Sequence, residues 1–150
     1  MTPLYAYFMT WATYGTWLPG DNRGWVKYRH GLQNPSPALR HYVKKQMQAK
    51  PCLLSFPERK FVEKSIEQHI KYRNWTLFAQ NCRSTHMHIL LYAQAEPSEI
   101  RRQLKAWSSR SLNKLDSSRR KWWAERGSCM RLKTENDLLA VSSYINDAQD

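Results

Sequence analysis

The order of the predicted elements indicates an α+β fold built on one antiparallel sheet. Three observations predict it. Segments rich in aromatic and β-branched residues alternate with segments whose apolar residues recur at helical spacing. Two neighbouring strand candidates are separated only by a short turn, as in a hairpin. Two helix candidates begin at a capping sequence. A chain of 150 residues with this pattern is expected to form a single domain over residues 1–150.

The first element is a predicted strand from Leu4 to Tyr14, rich in aromatic residues and threonine. A basic and polar segment follows, from about residue 15 to residue 53, and Pro-Gly-Asp-Asn and Arg-Gly steps near its start mark tight turns. A short helix from Ala38 to Gln48 is predicted within it. Because a bare loop of this length would be unusual, we interpret the segment as an insertion after the first strand.

The next helix begins at Ser55, where Pro57 and Glu58 complete a capping signature, and it is expected to end near Asn74. The remaining elements are a hairpin of two strands, a helix, a short strand and a last helix: Trp75–Cys82, His86–Tyr92, a helix opened by Pro97, Ser128–Lys133 and a helix opened by Thr134–Asp137. Without the insertion and the last helix, this is the split βαβ order of a ferredoxin-like fold. Two helices would cover one face of the sheet and leave the other face open.

The composition indicates a nucleic-acid partner. Lys and Arg number 24 against 12 Asp and Glu, which gives a net charge of +12, and the chain has 7 Trp, 8 Tyr and 4 Phe. Such a surplus favours a polyanionic partner, and basic grooves interleaved with aromatic rings hold single strands. The scattered cysteines Cys52, Cys82 and Cys129 are typical of reduced thiols. With no apolar run of about 20 residues and no signal peptide, we expect a cytoplasmic protein without a membrane span.

The triplet His86-Met87-His88 is the most informative short motif. Residues two apart on a strand point to the same face, so both imidazoles can approach one point while Met87 enters the core. Two imidazoles and one oxygen ligand would hold a divalent cation with positions open for a phosphate oxygen and water. The alternative is two ordinary polar residues on a strand. Tyr144, on the last helix, could cross the same face and act as a covalent nucleophile, since Leu138, Val141 and Ile145 are predicted as the buried stripe of that helix.

The stretch around this triplet, Asn81–Leu91, resembles the HUH motif (His, hydrophobe, His) of the single-tyrosine transposases. It is most similar to the REP-associated tyrosine transposases and their relatives. Three further segments are similar to the same group and occur in the same order: Thr10–Asp21 with Arg23-Gly24, Leu104–Arg110 and Ser142–Gln149. The resemblance therefore covers most of the chain, and its weakest part is Tyr28–Pro51.

The resemblance implies a divalent metal, Mg or Mn, and cleavage and rejoining of single-stranded DNA through a 5′-phosphotyrosine intermediate at hairpin-bearing sites. It implies His86 and His88 as metal ligands and Tyr144 as the nucleophile. Members commonly place a Gln or Asn four residues after the tyrosine as a third ligand, but that position here is alanine. Gln149 is therefore predicted as the third ligand, with Asp147 as the other candidate. A homodimer, in which the tyrosine acts on either subunit's metal, stays open.

Five basic residues near these motifs are predicted to contact DNA phosphates, with a merely solvated face as the alternative: Arg83, Arg101, Arg102, Lys105 and Arg110. Two rival functions remain. A non-catalytic single-strand nucleic-acid-binding module of ferredoxin-like fold would carry aromatic residues, not two histidines, on the central strand. A plasmid-type nicking initiator of the same HUH class would usually be larger than this chain.

Overall fold

The computed structural model describes residues 6–147. Its elements are β1 Ala6–Ala12, β2 Trp25–Lys27, β3 Gly31–Gln33, α1 Pro37–Lys45, α2 Phe56–Tyr72, β4 Thr76–Cys82, β5 His86–Tyr92, α3 Pro97–Leu115, β6 Ser128–Leu132 and α4 Glu135–Asp147. The predicted order of elements is confirmed, although Leu4 and Tyr5 of the predicted first strand lie outside the described residues. None of the helices within residues 6–147 is both long enough and apolar enough to cross a membrane.

Four strands form one antiparallel sheet in the order β4-β5-β1-β6. Strand β5 is central and pairs with β1 from Ala6↔Tyr92 to Ala12↔His86, and with β4 on its other side. The two hairpin strands lie side by side, while β1 is inserted between β5 and β6. This is the strand order of a split βαβ unit, so the predicted ferredoxin-like fold class is confirmed.

The main core lies between the sheet and helices α2 and α3. Helix α2 begins with a complete capping box, in which Ser55 and Glu58 each bond the other's backbone N–H. The strands and helices contribute alternate or helically spaced apolar side chains to this core, among them Met9, Trp11, Val62, Ile66, Met87, Ile89, Leu91, Ile100, Leu104 and Leu112. Burial of each side chain of this size is worth about 1.5–3 kcal/mol, so this layer fixes the position of β5.

Helix α4 lies on the opposite face of the sheet, which is therefore partly covered and not fully open. Ile145 is fully buried there against Leu90 of β5, and Leu138 and Val141 are packed around them. The predicted buried stripe of the last helix is confirmed. The stripe holds α4 across β4 and β5, on the face that carries alternate residues of β5.

The insertion contains the β2–β3 hairpin and α1. Helix α1 begins after the capping residue Ser36 and ends at Lys45, three residues before the predicted end at Gln48. No residue from Trp25 to Pro51 is buried. Ser36 N–H donates to Gly20 within the insertion, and Cys52 N–H donates to Tyr14 where its two ends meet. The insertion therefore lies on the surface and adds little to the core.

Candidate active site

The two histidines of β5 lie on the face of the sheet that carries α4. Met87, Ile89 and Leu91 are buried in the core between the sheet and helices α2 and α3, so the alternation of the strand directs His86 and His88 the other way. Their ring centroids are 5.5 Å apart. The structure thus brings both imidazoles together as the sequence predicts.

A threonine hydroxyl holds each imidazole at its Nδ1 atom. Thr10 Oγ1 lies 2.9 Å from Nδ1 of His88, and Thr85 Oγ1 lies 2.6 Å from Nδ1 of His86. Thr10 reaches His88 because the two residues are cross-strand partners in the β1–β5 pair. Hydrogen bonds to the second ring nitrogen hold the ring orientation of metal-binding histidines. With Nδ1 engaged, Nε2 is the nitrogen of each ring that would coordinate a cation.

His88 is 6% exposed, and its surroundings favour the neutral imidazole. Burial lowers the pKa of His88 to about 4, and the nearby positive charges of Arg83 and His86 act in the same direction. The neutral ring is the form that binds a metal. His88 therefore needs no deprotonation near neutral pH before it can coordinate.

Tyr144 lies beside this pair. It is on the last turns of α4, its ring centroid is 6.0 Å from that of His88 and 6.2 Å from that of Phe8, and 56% of the residue is exposed. Its neighbour Ile145 is fully buried, which anchors the helix without covering the tyrosine. A half-exposed tyrosine against the buried histidine is accessible to a substrate that lies over this face.

Asn81 fixes the end of α4 over the sheet. Its side-chain amide donates to the carbonyl oxygen of Ile145 at 3.1 Å. Asn81 is also the cross-strand partner of His88, so Asn81, His88 and Thr10 form one row across three strands. The positioning roles of Asn81 and Thr10 were not predicted from the sequence. Both residues lie beside His88 because of the register of the strands, and local sequence patterns do not determine that register.

The two histidines fit as two nitrogen donors to a divalent cation, since one is neutral and both rings are oriented through Nδ1. Gln149, the predicted third ligand, lies outside the described residues. Asp147, the other candidate, is exposed at the end of α4. Between residues 6 and 147, no three side chains of His, Cys, Asp or Glu gather as a ligand group. The identity of the third ligand therefore stays a prediction.

The predicted DNA-contacting arginines occupy different surroundings. Arg83 follows β4 and its charge lies near His88, close enough to lower the histidine's pKa. On α3, Arg102 pairs with Glu99, and the guanidinium of Arg110 lies over the ring of Trp107 at 5.1 Å. Arg101 is only half-buried, and its side chain passes close to Gly127 before β6. Their contact with DNA stays a prediction.

Lys105 was predicted to contact DNA phosphates from an exposed basic face, but the structure binds its ammonium group within the protein. Its ammonium group donates to the carbonyl oxygens of Ala124 and Arg126, at 2.9 and 2.6 Å, and burial lowers its pKa to about 8. The reason is that the segment before β6 folds back on α3. Trp122 and Trp123, whose role the sequence left unresolved, are buried there. In this conformation Lys105 ties that segment to α3.

The family and the solved structures to which this chain is similar are described as transposases. Residues 40–148 match the sequence model of the family described as "Transposase IS200 like". One similar solved structure is a REP-associated tyrosine transposase bound to a REP hairpin, with 13% identity, a TM-score of 0.53 and coverage of 93% of this chain. This chain spans 63% of the length of that protein. Another is a "putative transposase" from Deinococcus radiodurans R1, with 16% identity, a TM-score of 0.52 and coverage of 98% of this chain and 92% of that one. No curated protein matches the chain.

Proposed function

Since the chain belongs to the family of IS200-like transposases, we propose that it is a metal-dependent DNA transesterase with Tyr144 as its nucleophile. It cleaves single-stranded DNA at hairpin-bearing sites and rejoins the ends. The observation that supports this most is the position of Tyr144, half-exposed with its ring 6.0 Å from that of His88. Nucleophile and metal ligands thus lie on one face of the sheet.

The reaction exchanges one phosphodiester for another. The Tyr144 oxygen attacks the scissile phosphorus, the bond from phosphorus to the 3′ oxygen breaks, and a free 3′ hydroxyl leaves. The tyrosine proton passes to water, water supplies a proton to the departing 3′ oxygen, and the 5′ phosphate stays on Tyr144 as a phosphotyrosine ester. In the reverse step, an incoming 3′ hydroxyl attacks this ester and the tyrosine leaves. Because each step forms one ester as it breaks another, no external energy source is needed to rejoin the strand.

His86 and His88 would hold the divalent cation, Mg or Mn, with Gln149 as the proposed third ligand. When bound, such a cation neutralises charge that develops on the scissile phosphate. Thr10 and Thr85 keep the two imidazoles oriented through their Nδ1 atoms. Asn81 keeps the end of α4, and with it Tyr144, over the histidines.

We extend the hairpin preference to this chain from a fold relative, which is described as bound to a REP hairpin. The net charge of +12 supports a DNA substrate. A homodimer, with Tyr144 serving its own subunit or the other one, remains part of the proposal.

A cleavage assay on single strands tests the proposal. The wild type, Tyr144→Phe and the control Tyr72→Phe are incubated with a pool of labelled hairpin-bearing oligonucleotides, with Mg or Mn or with a chelator. Tyr72 is a suitable control because it is 76% exposed on α2, on the other side of the sheet. We expect cleavage and a covalent adduct with the wild type and Tyr72→Phe, only with metal, and neither with Tyr144→Phe.

Binding is measured on the same samples. Tyr144→Phe removes one hydroxyl from an exposed ring, so its affinity for the strand should equal that of the wild type. Strand binding with no cleavage by any protein, in Mg and in Mn, would instead favour the non-catalytic binding module.

A further inference from the structure

A second basic surface lies outside the candidate active site, within the insertion. Residues 15–53 contain seven Lys or Arg and one acidic residue, Asp21, so this segment carries a surplus of six positive charges out of the chain's +12. Half of the net charge thus lies on a segment that includes neither the His86–His88 pair nor Tyr144. A concentration of charge on one surface is typical of a contact with a polyanion.

A cavity of about 440 Å³ opens on this surface between the turn at Gly20 and helix α1. Its lining is formed by Gly20, Asn22, Pro37, Arg40, His41 and Lys44. Arg40 and Lys44 are four residues apart on α1 and therefore lie on the same side of the helix, one turn from each other. The volume lies within the range of small-ligand sites, roughly 300–1,000 Å³. Two cations and an imidazole thus converge on a space that can hold part of a nucleotide chain.

The turn at Gly20 is fitted closely against the start of α1. Gly20 has a φ of +90°, and a Cβ atom at this position would overlap the carbonyl oxygen of Ser36 and lie 2.6 Å from the backbone nitrogen of Arg40. The carbonyl oxygen of Gly20 accepts a hydrogen bond from Ser36 N–H at 3.0 Å. The wall of the cavity is therefore fixed to the helix that carries its charges, and it needs glycine to approach so closely.

Within the described residues, no carboxylate forms an ion pair with the basic side chains of the cavity. Asp21, the one carboxylate of the insertion, is buried and bound by Arg23 at 2.8 Å, and this hydrogen bond holds the pKa of Asp21 well below its usual range. Arg40 lies close enough to stabilise the same carboxylate from a greater distance. In the part of the chain that the structure describes, Arg40, His41 and Lys44 form no ion pair. They are exposed to solvent and can meet an external anion.

The insertion starts at the end of the sheet where the histidines lie. It leaves β1 just after Ala12, which pairs with His86, and Thr13 N–H donates to the carbonyl oxygen of Thr85. We propose that the cavity between Gly20 and α1 binds backbone phosphates of the DNA that occupies the candidate active site. This inference rests on the proposed function for its DNA substrate. The insertion would then contribute affinity for the DNA, while β5 and α4 contribute the residues that cleave it. Gly20 and Asn22 precede residues 40–148, so this wall is not part of the family match.

A pair of matched double variants tests the role of charge, in a Tyr144→Phe background that prevents cleavage. Arg40→Ala with Lys44→Ala removes two positive charges from the cavity. Lys60→Ala with Lys64→Ala removes two exposed charges at the same helical spacing from α2. Binding of a labelled hairpin-bearing single strand is measured by fluorescence anisotropy over a range of salt concentrations. We expect the cavity variant to bind about tenfold more weakly and to lower the slope of log affinity against log salt by about 1.4–1.8, as for two lost phosphate contacts. The α2 variant should stay within about twofold of the parent.

A pair of glycine variants tests the role of shape at constant charge. Gly20→Ala would push the turn away from α1, whereas Gly31→Ala places its methyl group where no atom lies within 4 Å, although φ is also positive there, at +74°. Both substitutions strain a left-handed backbone to a similar degree. Gly20→Ala should therefore weaken binding severalfold more than Gly31→Ala. Circular dichroism and thermal unfolding verify that each variant is folded, and if Gly20→Ala is not, the double variants decide alone.

Equal loss of affinity in the Arg40/Lys44 and Lys60/Lys64 variants would overturn the proposal, because the effect would then reflect net charge alone. An unchanged affinity of the Arg40/Lys44 variant would overturn it as well. These outcomes are independent of the proposed chemistry, since binding is measured without cleavage. Failure of the wild type to form an adduct would instead contradict the role of Tyr144 and leave the binding result intact.

Discussion

Strand β5 and the surface stretch of the insertion, Trp25–Pro51, stand at opposite extremes of burial. Every residue of β5 from Met87 to Leu91 is buried, whereas no residue of Trp25–Pro51 is. The strand carries the histidines on a support that the core holds in place, and Trp25–Pro51 carries positive charge on an exposed surface. The position of reacting groups therefore depends on the core, while attraction of the substrate depends on the number and placement of exposed cations.

The largest expected effect is on cleavage. His86→Ala and His88→Ala should each abolish detectable cleavage, because each removes a proposed metal ligand, while DNA affinity stays within about twofold of the wild type. Arg40→Ala with Lys44→Ala should give the reverse pattern, with weaker binding and near-normal cleavage at saturating DNA. Cleavage and anisotropy assays on the same samples measure both. Wild-type rates in either histidine variant would show that chemistry does not depend on β5.

Substitutions in the two regions should also differ in their effect on the free energy of unfolding. Ile89→Ala empties a fully buried position of β5 and should lower the free energy of unfolding by about 2–5 kcal/mol. Leu32→Ala removes a side chain that is 78% exposed in the β2–β3 hairpin, and it should change the free energy by no more than about 0.5 kcal/mol. Urea titration of both variants provides the measurement. Equal losses would mean that the insertion takes part in the cooperative core.

Thr10→Val tests whether the threonine hydroxyl orients His88 for metal binding. The substitution keeps the shape of the side chain and removes the hydroxyl that holds Nδ1 of His88. Loss of such an orienting contact lowers metal affinity or activity by about 10–100-fold. The cleavage rate as a function of Mn concentration should shift to higher Mn and recover at saturation. Thr76→Val, at an exposed position of β4, is the control. An unshifted Mn dependence in Thr10→Val would contradict the positioning role of Thr10.

The smallest expected effect is a change of stability at Lys105, whose ammonium group binds the segment before β6. Lys105 binds the carbonyl oxygen of Arg126, and the guanidinium of Arg126 lies 3.6 Å from the ring centroid of Tyr28 in the insertion. Lys105→Met keeps the aliphatic stem but leaves two carbonyl oxygens without the ammonium group, which should cost about 1–2 kcal/mol of stability. Lys114→Met, exposed at the end of α3, should cost less than about 0.5 kcal/mol. Thermal unfolding distinguishes them, and equal midpoints would contradict the tie made by Lys105.

The sequence predicted the parts of the molecule where local patterns and burial agree. The alternation of side chains along His86–Leu91 predicted which face of the sheet carries the two histidines. Successive residues of a strand point to opposite faces, so a core position for Met87 directs both histidines to the other face. The capping box at Ser55 fixed the start of α2, and the stripe of Leu138, Val141 and Ile145 gave the buried side of α4. These patterns also placed Tyr144 beside the stripe.

Contacts between distant segments could not be predicted in this way. The bond of Thr10 to His88 and that of Asn81 to α4 depend on strand register across the sheet, and the burial of Lys105 depends on how the segment before β6 folds back. The β2–β3 hairpin was not predicted because an exposed pair of three-residue strands has no hydrophobic alternation that marks it. The cavity at Gly20 arises from a turn and a helix that only the folded chain brings together.

The role of Tyr144 as the nucleophile is tested most directly by locating the covalent bond between the protein and DNA. The wild-type protein is reacted with a cleavable single strand in Mn, the adduct is digested, and the modified peptide is sequenced by mass spectrometry. We expect a 5′ phosphate on the peptide that contains Tyr144, and no adduct from Tyr144→Phe. An adduct on another tyrosine, or a linkage through a 3′ phosphate, would contradict this expectation.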